Sequence, residues 1–156
     1  MPGISLIVFS GDYDRAMAAF TIANGAAGED QPVTMFFTFW GISLLRKTSE
    51  PGGNPLQRMF KRMLPVGPSR PGLSRYNFGG LGSFFLRRLI RQKKSQCLPE
   101  LIETALARHV NLVACKASLA LLGIERNELL ATDQLRVDDV HGFLAVARAS
   151  DLCLFV

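Results

Sequence analysis

The fold is decided by the stretch Asn111-Leu-Val-Ala-Cys115-Lys-Ala-Ser118-Leu-Ala-Leu-Leu-Gly123. Its first part, residues 111–114, is short, uncharged and mostly apolar, which predicts a buried strand. Residues 116–122 predict a helix of one or two turns, and Gly123 stands where a helix C-cap belongs. Cys115 is therefore predicted at a strand-to-helix junction, where ligands and reacting groups collect in an open α/β sheet.

The chemistry of Cys115 has two interpretations on these residues alone. A sulfur at a helix N-terminus lies among unpaired N–H groups, which favour the thiolate, and Lys116 adds a positive charge beside it. Such settings lower a thiol pKa from about 8.5 by one to several units. The alternative is a buried, inert cysteine, because free cysteine is among the most buried residue types. Both interpretations stay open at this point.

Four stretches resemble the DsrE/DsrF-like family, specifically its DsrE2-type branch. Around the cysteine the matching frame is Leu-Val-Ala-Cys-Lys-Ala-Ser-Leu-Ala-Leu-Leu-Gly-Ile. The other three stretches follow the order of the family and are Ile7-Val-Phe-Ser-Gly-Asp12 with Ala18-Ala-Phe and Ala23-Asn-Gly-Ala, Val33-Thr-Met-Phe-Phe-Thr-Phe-Trp-Gly41 with Leu44-Leu-Arg-Lys47, and Gly79-Gly-Leu-Gly82. The block Phe-Phe-Thr-Phe-Trp-Gly is uncommon enough to be specific. The likeness spans nearly the whole chain and departs from the branch mainly around residues 50–77.

The resemblance implies a small α/β protein, because family members have that architecture. Several members relay sulfane sulfur as a cysteine persulfide, and the matching position here is Cys115. It further implies a homo-oligomer and a thiol partner such as a TusA-type sulfur carrier, and no cofactor is required. Candidate pocket or activating residues around the cysteine are Lys116, Ser118, Trp40, Ser10 and Gly11.

Composition predicts one globular domain spanning residues 1–156. Hydrophobic residues make up 48% and charged residues 20% of the 156 residues, as in ordinary globular chains. No apolar run reaches the ~18 residues of a membrane helix, and the N-terminus lacks the basic region of a signal peptide. Three cysteines, an odd number, do not form a disulfide framework. We therefore expect a cytoplasmic protein, with peripheral membrane contact left open.

A basic helical insertion is predicted at about residues 48–95. Residues 46–94 contain twelve Lys or Arg and one acid, a net charge of +11, whereas the rest of the chain has a net charge of −6. Helical spacing of apolar residues at 55–64 and 78–94 predicts two amphipathic helices separated by Pro/Gly-rich segments. Either their apolar faces pack on the core, or the segment docks to an acidic partner or an anionic membrane surface. Nucleic acid is disfavoured, since no stacking motif accompanies the charge.

Two further positions could contribute to a pocket at the strand ends. Ser10-Gly11-Asp12 forms a turn after the first strand, but it lacks the glycine spacing and lysine of a phosphate loop. Trp40 follows the second strand and is interpreted as a lid on the core, or alternatively as a wall of the cysteine's pocket. A small-molecule enzyme that uses a pocket above Phe39, Trp40 and Cys115, holding a nucleotide or flavin, therefore remains a rival hypothesis.

The other two cysteines are predicted to differ from each other. Cys97 occupies the cap position of the frame Cys97-Leu-Pro-Glu100, on an exposed loop, and could be a second relay thiol. Cys153 lies within an apolar final strand and is predicted to be buried and structural. The two histidines are far apart, so the sequence offers no metal cluster and no Cys-His or Ser-His-Asp arrangement.

Alternating strands and helices predict a mostly parallel, five-stranded α/β sheet with a three-layer, flavodoxin-like architecture. The favoured function is relay of sulfane sulfur by Cys115. A binding or scaffold protein that docks through its basic helices is the main rival.

Overall fold

The computed structural model describes residues 3–50, 52–68, 72–75 and 77–156. Strands and helices alternate along the chain. The strands are β1 Ile4–Val8, β2 Val33–Phe37, β3 Asn111–Cys115, β4 Leu135–Asp138 and β5 Leu152–Phe155. The α-helices are α1 Tyr13–Gly28, α2 Pro55–Met63, α3 Leu81–Gln92, α4 Leu98–Ala107, α5 Lys116–Leu122 and α6 Val140–Arg148. Short 3₁₀ helices occupy Phe39–Leu45, Phe78–Gly80 and Arg126–Glu128.

The five strands form one parallel sheet in the order β4-β3-β2-β1-β5. Helices cover both of its faces, so the predicted three-layer α/β class is confirmed. Because all strands point the same way, their carboxyl ends meet at one edge of the sheet. That edge holds the junction at Cys115, and the left-handed conformation of Gly123 (φ 67°) ends α5 as predicted.

Each face of the sheet has its own apolar core. On one face, α1 and α4 pack over the side chains of Leu6, Met35, Phe37 and Leu112. On the other face, Phe36, Val113 and Cys115 pack against Phe143 of α6. The rings of Phe36 and Phe143 are stacked with centroids 4.5 Å apart. Cys115 therefore belongs to the smaller core, on the α6 side.

The second strand ends at Phe37, and the chain turns sharply after Thr38. Phe39 adopts a left-handed backbone (φ 44°) and begins a 3₁₀ helix. The chain then crosses the end of β1, where the N–H of Gly41 donates to the carbonyl of Phe9 at 2.9 Å. A Cβ at Gly41 would lie 2.2 Å from the carbonyl oxygen of Val8, so only glycine permits this crossing. The crossing brings residues 38 and 39 close to α5.

The helix α3 does not pack its main apolar face on the core. Leu86 and Ile90 point inward, one turn apart. Four other apolar side chains are each more than half exposed; they are Leu81, Phe84, Phe85 and Leu89. The apolar residues of this helix divide between two faces, and only one of these faces packs on the core. The outward face carries both apolar and basic side chains.

A buried ion cluster connects α2 to the rest of the chain. The Nζ of Lys61 lies 2.6 Å from one carboxylate oxygen of Glu128, and Arg46 lies 3.4 Å from the other. Arg46 and Glu128 are fully buried, and Lys61 nearly so. The backbone N–H groups of Glu50 and Glu125 also donate to this carboxylate. The helix α2 is thus attached to the rest of the chain through a buried charged group.

Among the described helices, none combines the length and apolar character needed to cross a membrane.

Candidate functional site

Cys115 is the last residue of β3 and the N-cap residue of α5. In the register of the sheet it lies between the end of β2 and Asp138 of β4. The residue is only 6% exposed, and Phe36 and Phe143 pack around it. The side chain of Cys115 is therefore largely shielded from solvent by the packing around it.

A pair of hydroxyl groups lies beside this sulfur. The Oγ of Ser118, on the first turn of α5, is 2.9 Å from the Oγ1 of Thr38 at the end of β2. The same Ser118 oxygen accepts a hydrogen bond from the backbone N–H of Phe39 at 3.1 Å. Because Ser118 accepts from Phe39, its own hydroxyl hydrogen is available to Thr38 or to the cysteine. The crossing at Phe39 is what holds this pair in place.

These groups set the protonation of Cys115. Burial by itself raises the pKa of the thiol, but this effect is outweighed by the side chain and amide of Ser118, the hydroxyl of Thr38 and the amide of Ala117, and the net pKa lies below the ordinary value. Cys115 is the N-cap residue of α5, but in the described structure its side chain makes no capping hydrogen bond to this helix. The hydroxyl and amide donors named above nevertheless favour the thiolate. The site combines a dry surrounding with donors that stabilise negative charge on sulfur.

The lysine beside the cysteine has a smaller part than the sequence suggests. Lys116 is exposed to solvent. It is not among the principal groups that lower the pKa of Cys115, and its charge instead helps to lower the pKa of Asp139, after the amide of Gly142 and the groups of His141. Ser118 of the predicted set does contact the site. Thr38 was missed by sequence reasoning, although its position after a central strand, next to the cysteine strand, is a usable signal.

The structure places the remaining predicted pocket residues away from the sulfur. Ser10 and Gly11 line a hollow of about 180 Å³ together with Trp40. There the Ser10 hydroxyl donates to the carboxylate of Asp12 at 2.7 Å. A Cβ on Gly11 would lie 2.5 Å from the Oγ of Ser43, so this turn is closed by packing. Ser10 and Gly11 do not join Cys115 in one pocket.

Trp40 is neither a lid on the core nor a wall of the cysteine's pocket. It is 41% exposed and lines an apolar groove of about 460 Å³ between α2 and α5. Phe39, Phe60 and Leu121 line the same groove, whereas Cys115 does not. Within the described part of the chain, the groove beside Trp40 does not include Cys115, as a cofactor held jointly by these two residues would require.

The other two cysteines differ from their predicted settings. Cys97 is partly buried at the start of α4, where its backbone N–H donates to the Glu100 carboxylate at 2.8 Å, and it lines a separate cavity. Cys153 is exposed, so the prediction that it is buried is wrong. It lies on the edge strand β5, in register with Ser5, on the sheet face that α6 only partly covers.

A metal site is not formed by the described parts of the chain, where no three side chains of the types His, Cys, Asp and Glu converge. The hydroxyls of Ser118 and Thr38 and the amides of Ala117 and Ser118 can stabilise negative charge on the Cys115 sulfur.

The chain belongs to the DsrE/DsrF/DrsH-like family, whose model matches residues 2–155. It is 42% identical over 154 residues to "Uncharacterized protein YrkE" of Bacillus subtilis (strain 168), covering 97% of this chain and 95% of that protein. It is 27% identical over 161 residues to "Sulfur carrier protein DsrE2" of Allochromatium vinosum, covering 98% and 97% of the two chains.

Two solved structures share the fold. The ychN protein from E. coli matches with a TM-score of 0.54 at 12% identity, over 100% of both chains. The protein MTH1491 from Methanobacterium thermoautotrophicum matches with a TM-score of 0.54 at 9% identity, over 99% of both chains. At these identities the likeness concerns the fold alone.

Proposed function

We propose that this protein relays sulfane sulfur as a persulfide on Cys115. The observation that carries the proposal is the placement of the Ser118 and Thr38 hydroxyls beside a buried thiol whose pKa they help to lower. Membership of the DsrE/DsrF/DrsH-like family and the relative named a sulfur carrier protein support a sulfur-relay role in general. Cys115 is the cysteine on which we place that role.

The transfer step exchanges one sulfur–sulfur bond for another. The Cys115 thiolate attacks the outer sulfur of a donor persulfide R–S–SH, the new bond to Cys115 forms, and the donor leaves as the thiolate RS⁻. The product Cys115–S–SH keeps the proton of the transferred sulfur, so no oxidant is consumed. In the second step an acceptor thiolate attacks that outer sulfur, and Cys115 leaves as a thiolate stabilised by Ser118, Thr38 and Ala117.

The acceptor in this proposal is a thiol protein such as a TusA-type carrier, in the cytoplasm. The low exposure of Cys115 favours an acceptor that presents its cysteine on an extended segment. The test is to load the protein with sulfur, remove free polysulfide, and add a purified TusA-type carrier. We expect the carrier to gain sulfur only from protein that retains Cys115. Transfer of equal extent from loaded Cys115→Ser protein would overturn the proposal.

We also propose that the outward face of α3 is covered by a second copy of the chain. The supporting observations are the exposed apolar side chains Leu81, Phe84, Phe85 and Leu89 together with the charge distribution. The segment 46–94 has a net charge of +11, and the rest of the chain has a net charge of the opposite sign, −6. A second copy therefore supplies both an apolar contact and opposite charge.

A further inference from the structure

A second cavity, of about 550 Å³, lies at the corner where α3 ends and α4 begins. The chain turns there through Lys94, whose backbone is left-handed (φ 52°), before α4 starts after Cys97. Tyr13, the first residue of α1, forms one wall, and its hydroxyl accepts a hydrogen bond from the N–H of Leu98 at 3.4 Å. Because α1 follows β1, the cavity lies at the carboxyl edge of the sheet, on the face opposite Cys115.

Three cationic side chains line this cavity, and they are Arg87, Arg91 and Lys94. The guanidinium of Arg87 lies 4.9 Å from the centre of the Tyr13 ring. Among the described residues, no ion pair engages Arg91 or Lys94. Glu100 is the acidic residue of the lining, and its carboxylate accepts the backbone N–H of Cys97. The lining therefore has a net charge of +2.

The volume of the cavity fits a small organic anion better than an inorganic one. A volume of about 550 Å³ falls in the range of roughly 300–1,000 Å³ that small organic ligands occupy. An inorganic oxyanion, only a few times the ~30 Å³ share of one water molecule, would leave most of it empty. Cys97, which is partly buried, is one of the residues that line this space. The ligand that fits is thus a small organic anion able to react with a thiol.

We propose that this cavity binds a low-molecular-weight sulfur compound that carries carboxylates, and that Cys97 exchanges sulfur with it. The inference rests on the proposed function in that the exchange links small-molecule sulfur to the relay. With a small persulfide, the Cys97 thiolate attacks the outer sulfur of R–S–SH, giving Cys97–S–SH and RS⁻. With a small disulfide it attacks one sulfur of R–S–S–R, giving the mixed disulfide Cys97–S–S–R and RS⁻. Both steps balance without another oxidant.

The test compares an anionic and an uncharged disulfide on the full chain. Glutathione disulfide and 2-hydroxyethyl disulfide are each added, and the initial rates of mixed-disulfide formation are measured at Cys97 and at Cys153 by peptide mapping. Cys153 is an internal reference, since it is exposed on the edge strand and lies outside this cavity. We expect the preference for the anionic reagent to be roughly three- to tenfold greater at Cys97, the effect of two exposed charge pairs.

Charge variants then locate the effect. Replacing Arg91→Gln together with Lys94→Gln should abolish the extra preference at Cys97. Arg88→Gln, on the same helix but outside the cavity lining, is the matched control and should preserve it. If the double variant melts early, Lys94→Gln alone, in the exposed turn after α3, should give a partial loss.

Equal preferences at the two cysteines, or an equal loss in the Arg88→Gln variant, would overturn the inference. The disulfide reagents are read out at Cys97 and not at Cys115. Failure of this inference therefore leaves the persulfide on Cys115 untouched, and failure of the Cys115 relay leaves the Cys97 preference measurable.

Discussion

The hydroxyl of Ser118 lies 2.9 Å from the hydroxyl of Thr38, which joins the first turn of the helix after β3 to the end of β2. This contact makes the environment of Cys115 depend on two neighbouring strands rather than on its own helix. Because α5 has only seven residues, we expect the hydroxyl and amide donors near Cys115 to affect the thiol pKa more than the helix dipole does. We therefore expect Ser118 and Thr38 to control the ionisation of the Cys115 thiol.

Ser118→Ala should raise the pKa of the Cys115 thiol, because it removes a hydroxyl that stabilises the thiolate. The measurement is the ultraviolet absorbance of the thiolate across a pH titration, in a chain that keeps Cys115 and carries Cys97→Ser and Cys153→Ser. Ser43→Ala is the matched control, since Ser43 is a buried serine whose hydroxyl donates to the carbonyl of Trp40. An unchanged pKa in Ser118→Ala, or an equal rise in Ser43→Ala, would contradict the prediction.

The lowered pKa of Cys115 also predicts how its reactivity depends on pH. A thiol with a lowered pKa stays ionised as the pH falls, whereas an ordinary thiol loses its thiolate below about 8.5. The alkylation rate of Cys115, divided by that of N-acetylcysteine under the same conditions, should therefore rise as the pH is lowered from about 8.5 to about 6.5. A small uncharged reagent such as iodoacetamide suits the buried site. A ratio that does not change with pH would show that the thiol is unperturbed.

The sheet and the junction at Cys115 were predictable because they depend on local patterns. Short apolar runs such as Val33–Phe37 gave the strands, and Gly123 marked the end of α5. The setting of Cys153 was not predictable, because an apolar run does not reveal that its strand lies at the edge of the sheet. Thr38 was missed for a related reason. Its contact with Ser118 spans eighty residues and depends on the turn at Phe39.

Helical spacing also failed to assign the faces of α3. The residues Leu86 and Ile90 differ little in kind from Phe85 and Leu89, yet the first pair points inward and the second is exposed. Hydrophobic periodicity shows that a face is apolar but not what covers it. The buried charges of Arg46, Lys61 and Glu128 were hidden in the same way, since a charge run ordinarily indicates a solvated surface.

Glu128→Ala should destabilise the protein by about 3–5 kcal/mol, because it leaves Arg46 and Lys61 buried without their counter-charge. The free energy of unfolding in urea measures this change. Glu103→Ala, which removes an exposed carboxylate from α4, is the control and should alter stability by less than about 0.5 kcal/mol. Equal stabilities of the two variants would show that the ion cluster does not anchor the insertion.

Leu81→Glu combined with Phe85→Glu should weaken self-association, because both side chains are exposed on the proposed contact face of α3. Sedimentation velocity at several protein concentrations measures the assembly. Rising salt should weaken it too, since the Debye length falls from about 10 Å at 0.1 M to about 3 Å at 1 M. Val140→Glu, at an exposed apolar position on α6, is the control. If the protein stays monomeric and instead sediments with anionic lipid vesicles, the proposed contact face of α3 binds a membrane and not a second copy of the chain.

The relay of sulfur by Cys115 can be tested by the mass of the protein after incubation with polysulfide and removal of the excess. We expect a gain of about 32 Da, the mass of one sulfur atom, located on Cys115 and reversed by reductant. The peptide that contains position 115 should show no gain in Cys115→Ser. The same peptide should still show the gain in Cys97→Ser and in Cys153→Ser. If Cys115 stays unmodified in folded protein while Cys97 or Cys153 takes up the sulfur, the assignment of the relay to Cys115 is contradicted.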